Sequence, residues 1–195
     1  MSGRILLVFL HFFWLFPLCA QQFTPNIYEE TLTLAGQSRK GYITDFPFGA
    51  KEIAKEWWRF SKDFGRPLNM RSYYEITIPS DIHQGTVEIT LYSKTLRKGS
   101  GSQFFLTLKT EKIPKQKHAD YMSQVKQVMQ NFKQTVYLQK LEAGLEKLEK
   151  KAAKASKRVE KSEGRLRTRR VGELEKLRED IQEYRSLIKN IYTAY

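Results

Sequence analysis

Alternating apolar positions predict strands in the first half of the chain. Four stretches place apolar side chains at every second residue: 28–34, 72–79, 85–93 and 103–111. Such alternation is typical of strands with one buried face and one wetter face. A glycine-serine loop at residues 98–102 joins the last two stretches and predicts an antiparallel hairpin. Residues 41–46 are either a hairpin partner of the first strand or an extended lead-in to the next element.

A helical stripe interrupts these strands at residues 50–64. Ile53, Trp57, Phe60 and Phe64 lie at spacings of four, three and four, which is one face of an amphipathic helix. Trp57 is therefore expected in the core. The adjacent Trp58 points to another side, so it is either a contact residue for a ligand or partner, or a partly buried packing residue.

The last third of the chain contains no proline and predicts long helices. A first stripe ends at Val136 and predicts that the helix packs on the sheet up to about residue 137. The next apolar position is Leu141, five residues on, and this phase slip indicates where the helix leaves the sheet. Two heptad-spaced stripes follow: Leu141, Leu145, Leu148, Ala152, Ala155 and Val159, and then Leu174, Leu177, Ile181, Tyr184, Ile188, Ile191 and Tyr195.

Residues 160–173 separate these two stripes and contain Gly164 and Gly172. A turn here predicts an antiparallel helical hairpin with a coiled-coil-like seam. The alternative is one continuous helix that dimerises through the arm. The predicted fold class is α+β, with an antiparallel sheet, two helices packed on one face in the order β-α-β-β-β-α, and a helical hairpin after them. The predicted domains are a head at 21–114, completed by a helix at 116–137, and an arm at 138–195.

The N-terminus has the layout of a secretory signal peptide over residues 1–20. A basic start is followed by about 14 mostly apolar residues and a small residue, Ala20. This run is shorter than the roughly 20 residues that a spanning helix needs, so no transmembrane span is expected in the mature chain. Cys19 raises the alternative of a lipid anchor, and an uncleaved anchor is a third reading. Cys19 is the only cysteine, so a cleaved chain would have no disulfide or thiolate site.

The order of elements, after a signal that ends in Ala20-Gln21-Gln22, resembles a group of small exported proteins of Bacteroidetes bacteria. Those proteins carry a domain of unknown function with a TATA-binding-protein-like fold. The resemblance covers roughly residues 28–136, with the Trp57-Trp58 helix and the three following strands as its body. It implies no activity and no site residues, and the chain after residue 137 departs from a minimal domain of that kind.

The formal net charge of +13 favours anionic partners. Basic residues cluster toward the predicted turn of the arm and are candidate contacts with an anionic surface: Lys147, Lys150, Lys151, Lys154, Lys157, Arg158, Lys161, Arg165, Arg167, Arg169 and Arg170. The alternative is that these side chains only keep a hairpin solvated. An exported protein without a nucleic-acid-reading motif is not expected to bind nucleic acid.

The sheet face opposite the helices mixes aromatic, threonine and charged residues. Tyr73, Tyr92 and Phe105 on this face, with Trp58 beside it, are candidate contacts for a small lipid or glycan ligand or for a protein partner. The alternative is the ordinary composition of a solvated strand face, where threonine and tyrosine are favoured.

Sequence motifs for catalysis are not found. There is no Gly-x-Ser-x-Gly, His-Glu-x-x-His or dinucleotide fingerprint. His118 with Asp120 is a weak metal pair and is better explained as a helix cap, and His83 is distant in sequence. No metal or cofactor is expected. The hypothesis from sequence is an exported, non-enzymatic protein of the cell envelope that docks a partner or an anionic surface through its basic turn.

Overall fold

A computed structural model describes residues 23–80 and 88–194 of the chain. These residues form an antiparallel sheet in the order β1-β2-β6-β5-β4-β3. The strands are β1 (Tyr28–Leu34), β2 (Gln37–Phe46), β3 (Arg66–Asn69), β4 (Tyr74–Ile78), β5 (Ile89–Lys98) and β6 (Gly101–Leu108). The predicted signal peptide, residues 85–87 of one predicted strand, His83 and Tyr195 lie outside the described residues.

Two-residue turns close the β1–β2 and β5–β6 hairpins. Ala35 and Gly36 have φ values of 52° and 75°, and Gly99 has a φ of 56° between β5 and β6. Positive φ at both central residues, or at the first alone as at Gly99, is the backbone of the two-residue turns that match strand twist. The predicted β5–β6 hairpin is confirmed, with Lys98 opposite Gly101. Of the two readings of residues 41–46, the hairpin partner is the correct one.

Three helices complete the fold: α1 (Ala50–Ser61), α2 (His118–Glu160) and α3 (Gly164–Tyr192). A short 3-10 turn at Lys115–Lys117 leads into α2. The predicted α+β class is confirmed, and both α1 and the first half of α2 pack on one face of the sheet. No helix in the described part of the chain combines the length and apolar character that crossing a membrane requires.

Aromatic rings fill the space between the two helices and the sheet. The ring of Phe132 on α2 lies 5.0 Å from Trp57 on α1 and 4.9 Å from Phe104 on β6. All three side chains are fully buried. Rings at these separations and inclined to one another attract beyond their area burial. This cluster holds the first half of α2 against α1 and the sheet.

The two long helices pair antiparallel and return to the head. Arg185 of α3 reaches Glu149 of α2 at 2.9 Å, and the last turn of α3 brings Ile191 into the core of the head. Gln134 donates to the Ile191 carbonyl oxygen at 3.4 Å. Both ends of the hairpin are therefore anchored at the head, and its turn is the far end.

Several bounds differ from the sequence prediction. The strand expected to end at residue 93 continues to Lys98, and the strand expected at 103–111 runs from Gly101 to Leu108. The edge strand β3 was not predicted, because it contains Pro67 and shows no alternation. The helix expected at 50–64 ends at Ser61. The turn expected near 160–173 occupies only Lys161, Ser162 and Glu163, so α3 begins at once and Gly172 lies inside it. A single glycine costs a helix about 1 kcal/mol, which long pairing with α2 easily offsets.

Candidate functional site

The eleven basic residues predicted as surface contacts lie at the free end of the hairpin. Seven are on the second half of α2 or in the turn, and four are on the first two turns of α3. Because the helices run antiparallel, both groups lie at the same end of the arm. We call this region, residues 147–170, the basic tip. It carries three acidic residues, Glu149, Glu160 and Glu163, so it holds eight of the thirteen net positive charges.

Hydrogen bonds close the turn at the end of the basic tip. The Ser162 hydroxyl donates to the Val159 carbonyl oxygen at 2.8 Å, and Ser162 is almost fully buried. The Arg170 guanidinium donates to the Arg158 carbonyl oxygen at 2.9 Å. These bonds satisfy carbonyl groups that the C-terminus of α2 would otherwise leave without partners. The turn therefore holds the two charged helix ends in a defined arrangement.

Most charges of the basic tip point into solvent without an opposing charge. Within the described residues, only Lys150 and Arg169 form ion pairs, with Glu146 and Glu173 respectively. The hydrogen bond from Lys150 lowers the pKa of Glu146 from its ordinary value. Glu149 is engaged by Arg185 of α3, so it does not neutralise the tip. The result is a surface of exposed cations available to an external anion.

Leu166 is a feature of the tip that the sequence analysis missed. It lies in the first turn of α3 between Arg165 and Arg167, and 51% of its surface is exposed. The signal in the sequence was a leucine that belongs to neither apolar stripe. Other large apolar side chains, such as Leu68 and Tyr192, are similarly exposed, and Leu166 differs from them by its place among the cations of the basic tip.

The aromatic candidates on the sheet face are already packed. Tyr92 is 3% exposed and Phe105 is fully buried. They form a second apolar cluster with Leu34 and Ile43, and Tyr73 packs edge-on against Tyr92 at 5.4 Å. Their rings are satisfied within the protein, so they offer little surface to a ligand.

Trp58 lies apart from the other three aromatic candidates, Tyr73, Tyr92 and Phe105. It lies on α1, on the other side of the sheet, with its ring 5.6 Å from Tyr74 and the Lys62 ammonium 5.4 Å above it. The four aromatic candidates therefore do not converge on one site.

A buried arginine closes one end of the second apolar cluster. Arg39 stacks over Tyr92 at 4.7 Å and donates to Glu111 and to Gln37 at 2.5 Å each. The guanidinium lowers the pKa of the Glu111 carboxyl. Lys109 also lies 5.6 Å from the centre of the Tyr92 ring and has a raised pKa, mainly through its bond with Tyr92. A cavity of about 310 Å³ adjoins Arg39 and His118, but both terminal nitrogens of Arg39 already have partners.

Lys133 of α2 is a fully buried cation that the sequence analysis did not single out. Its ammonium donates to the Thr44 hydroxyl at 2.6 Å and to the Asn26 carbonyl oxygen at 3.3 Å. Desolvation lowers its pKa to about 8, with the Asp45 charge opposing the shift. Because the amine has no exposed surface, it serves to hold residues near Asn26 against the sheet and α2, and it does not reach a substrate.

An apolar cleft separates the end of α1 from the start of α2. It has a volume of about 160 Å³ and its lining includes Phe64, Ile78, Leu91 and Val125. Gln124 and Tyr121 supply the polar groups of the lining. A space of this size and character takes only a small apolar group.

Metal-binding chemistry finds no support among the residues that the structure describes. No group of three or more histidine, cysteine, aspartate or glutamate side chains there is placed to hold an ion. His118 Nε2 lies 2.8 Å from the Ile113 carbonyl oxygen. This contact links the first residue of α2 to the segment that precedes the helix.

Comparison of the chain with protein-family models, with curated proteins and with solved structures gives no match. The resemblance drawn from the order of elements therefore stays a prediction, and the function has to be argued from the site itself.

Proposed function

We propose that this chain is an exported, non-enzymatic interaction protein of the cell envelope that docks an anionic surface through its basic tip. The observation that carries the proposal is the concentration of charge. Eight of thirteen net positive charges lie in residues 147–170, at the end of the arm farthest from the head. Most of those cations have no ionic partner in the described part of the chain.

The geometry of the arm supports docking at a distance. Tyr137 is the last buried residue of α2, Leu138 and Leu141 still pack against the core of the head, and α2 continues to Glu160. At 1.5 Å per residue, the projection beyond Leu141 is about 30 Å long. Because α3 returns to the head at Ile191, the arm is a braced two-helix structure. The tip can contact a surface while the head stays clear of it.

The charge at the start of α3 conflicts with local helix stability. The first turn of α3 contains no acidic residue, and Arg165 and Arg167 lie there. The N-terminal end of a helix carries partial positive charge, so cations at this end cost stability. Local choices that oppose stability are expected at functional sites. An external anion would relieve this repulsion.

The test is a charge-neutralised tip compared with a charge-matched control. One variant changes Arg165, Arg167, Arg169 and Arg170 to Gln. The control changes Lys51, Lys55, Lys115 and Lys117 to Gln, which are exposed lysines of the head. Each variant removes four positive charges, so the comparison separates charge position from net charge.

Binding is measured by co-sedimentation with vesicles of phosphatidylglycerol and phosphatidylcholine. Each basic residue near an anionic surface contributes about 1 kcal/mol. Allowing for screening by salt, the tip variant is expected to bind on the order of a hundredfold more weakly than the parent chain. The control should retain most of the affinity. Equal binding by the parent and the tip variant would overturn the proposal.

A further inference from the structure

We infer that the anionic surface is a phospholipid bilayer, and that Leu166 enters its apolar boundary while the neighbouring arginines hold lipid phosphates. The inference rests on the proposed function of the basic tip and names its target. It starts from the position of one side chain. Leu166 is 51% exposed at the end of the arm, three residues into α3.

Arginines flank Leu166 and follow it on α3, and the acidic Glu163 precedes the helix as its N-cap residue. Arg165 and Arg167 flank Leu166 in sequence, and Arg169 and Arg170 follow at three and four residues, where side chains share a helix face. Arg165, Arg167 and Arg169 are exposed. Arg169 pairs with Glu173 and Arg170 donates to the Arg158 carbonyl oxygen. Guanidinium groups bind phosphate oxygens in bidentate pairs, so Arg165 and Arg167 are the phosphate ligands beside Leu166.

The exposed Leu166 favours a bilayer over other anionic partners. Acidic polysaccharides and other soluble polyanions present charge but no apolar interior that could receive a side chain. A bilayer presents both within a few ångströms, and interfacial binding elements combine Lys and Arg with leucine or aromatic residues for this reason. An exposed leucine gains from leaving water only if the partner offers apolar volume. The combination at the tip therefore points to lipid.

Leu68 provides a matched control for this inference. It is 56% exposed, close to the value for Leu166, and it lies on the edge strand β3 of the head. Replacing either leucine by serine removes a half-exposed apolar side chain. Only Leu166 is at the proposed contact. Far-UV circular dichroism of both variants checks that each is folded.

The experiment measures binding of the parent chain, Leu166→Ser and Leu68→Ser to two probes. One probe is vesicles of phosphatidylglycerol and phosphatidylcholine, and the other is heparin, a soluble polyanion. Leu166→Ser is expected to bind the vesicles roughly tenfold more weakly, the effect of one partly buried leucine. It should bind heparin like the parent chain. Leu68→Ser should match the parent chain with both probes.

Three outcomes would overturn the inference. One is vesicle binding by Leu166→Ser equal to that of the parent chain. Another is an equal loss with heparin and vesicles, which would indicate an electrostatic or folding effect. A third is binding of the parent chain to heparin and not to vesicles. If Leu166→Ser has no effect while the four-arginine variant loses vesicle binding, the inference fails and the proposed function stands. If the four-arginine variant binds normally, the proposed function itself fails.

A second readout places the side chain directly. In Leu166→Trp, the emission of the new tryptophan should shift to shorter wavelength when anionic vesicles are added, after subtraction of the signal of the parent chain. Neutral phosphatidylcholine vesicles should give no shift. An emission that anionic vesicles leave unchanged would contradict insertion of this residue.

Discussion

Replacing Lys133 by Met tests the assignment of a charged amine to the protein core. The folded chain lowers the pKa of Lys133 from 10.5 to about 8, because burial disfavours the ammonium. Between those two pKa values the unfolded chain binds more protons at this position than the folded chain does. The free energy of unfolding therefore rises with pH across that window. Below this pH window, Lys133 is protonated in both the folded and the unfolded chain, and the full cost of burying its charge remains.

The size of the effect follows from the two pKa values of Lys133. From about pH 7 to about pH 9.5, this group should raise the free energy of unfolding by about 2 kcal/mol. Lys133→Met removes the titration, so the variant should lack this rise. At neutral pH the variant should be at least as stable as the parent chain. The Asn26 carbonyl oxygen keeps the Thr44 hydroxyl as a donor at 2.8 Å. The Thr44 hydroxyl loses the Lys133 ammonium as its donor but keeps this one hydrogen bond.

The assay is urea unfolding followed by circular dichroism at both pH values. Other lysines and tyrosines titrate in the same range, so the informative quantity is the difference between the parent chain and Lys133→Met. Lys126→Met, at an exposed position of the same helix, controls for the loss of a lysine. Parallel pH dependence in the parent chain and Lys133→Met would refute the buried ammonium.

Three further substitutions test the packing of the arm and the sheet face. Gly172→Ala should stabilise the chain by about 1 kcal/mol, because Gly172 is an exposed helix position with open space around it. Gly144→Ala should lack that gain in thermal unfolding, since its new Cβ would lie 2.4 Å from the Tyr184 ring; equal gains would contradict this packing. Arg39→Met should lower stability by roughly 1 to 2 kcal/mol. Because Arg39 lowers the pKa of Glu111, the stabilisation from this ion pair should be lost in the parent chain as pH falls below the ordinary value of 4.5. If the free energies of unfolding of the parent chain and of Arg39→Met fall equally with acid, the ion pair does not contribute.

Periodicity predicted the main elements of the head, because strands with one buried face have to alternate. It failed at β3, whose four residues include Pro67, the one residue of this strand that is not exposed. An edge strand needs hydrogen bonds on one side only and therefore tolerates proline. The periodicity of apolar residues also does not predict that the Arg39 guanidinium stacks over the Tyr92 ring. That contact turns part of an expected polar face into a second small core.

The basic tip was predictable because charge runs and heptad stripes are both visible in sequence. The sequence did not predict which charges of the tip lack an ionic partner, because ion pairs such as Arg185 with Glu149 join residues far apart along the chain. Leu166 and Lys133 were missed for opposite reasons. Leu166 is an apolar residue that belongs to no stripe. Lys133 is a cation, and a pattern of apolar positions does not mark a cation as buried.

In the proposed function, the position of charge on the arm, and not net charge, determines binding. The ratio of vesicle affinities of the two charge-matched variants, the four-arginine tip variant and the four-lysine head variant, measures this dependence. We expect the tip variant to bind far more weakly than the head variant, and we expect the difference in affinity to narrow as salt is raised. Equal affinities of the two variants at low salt would show that the basic tip is not the docking site.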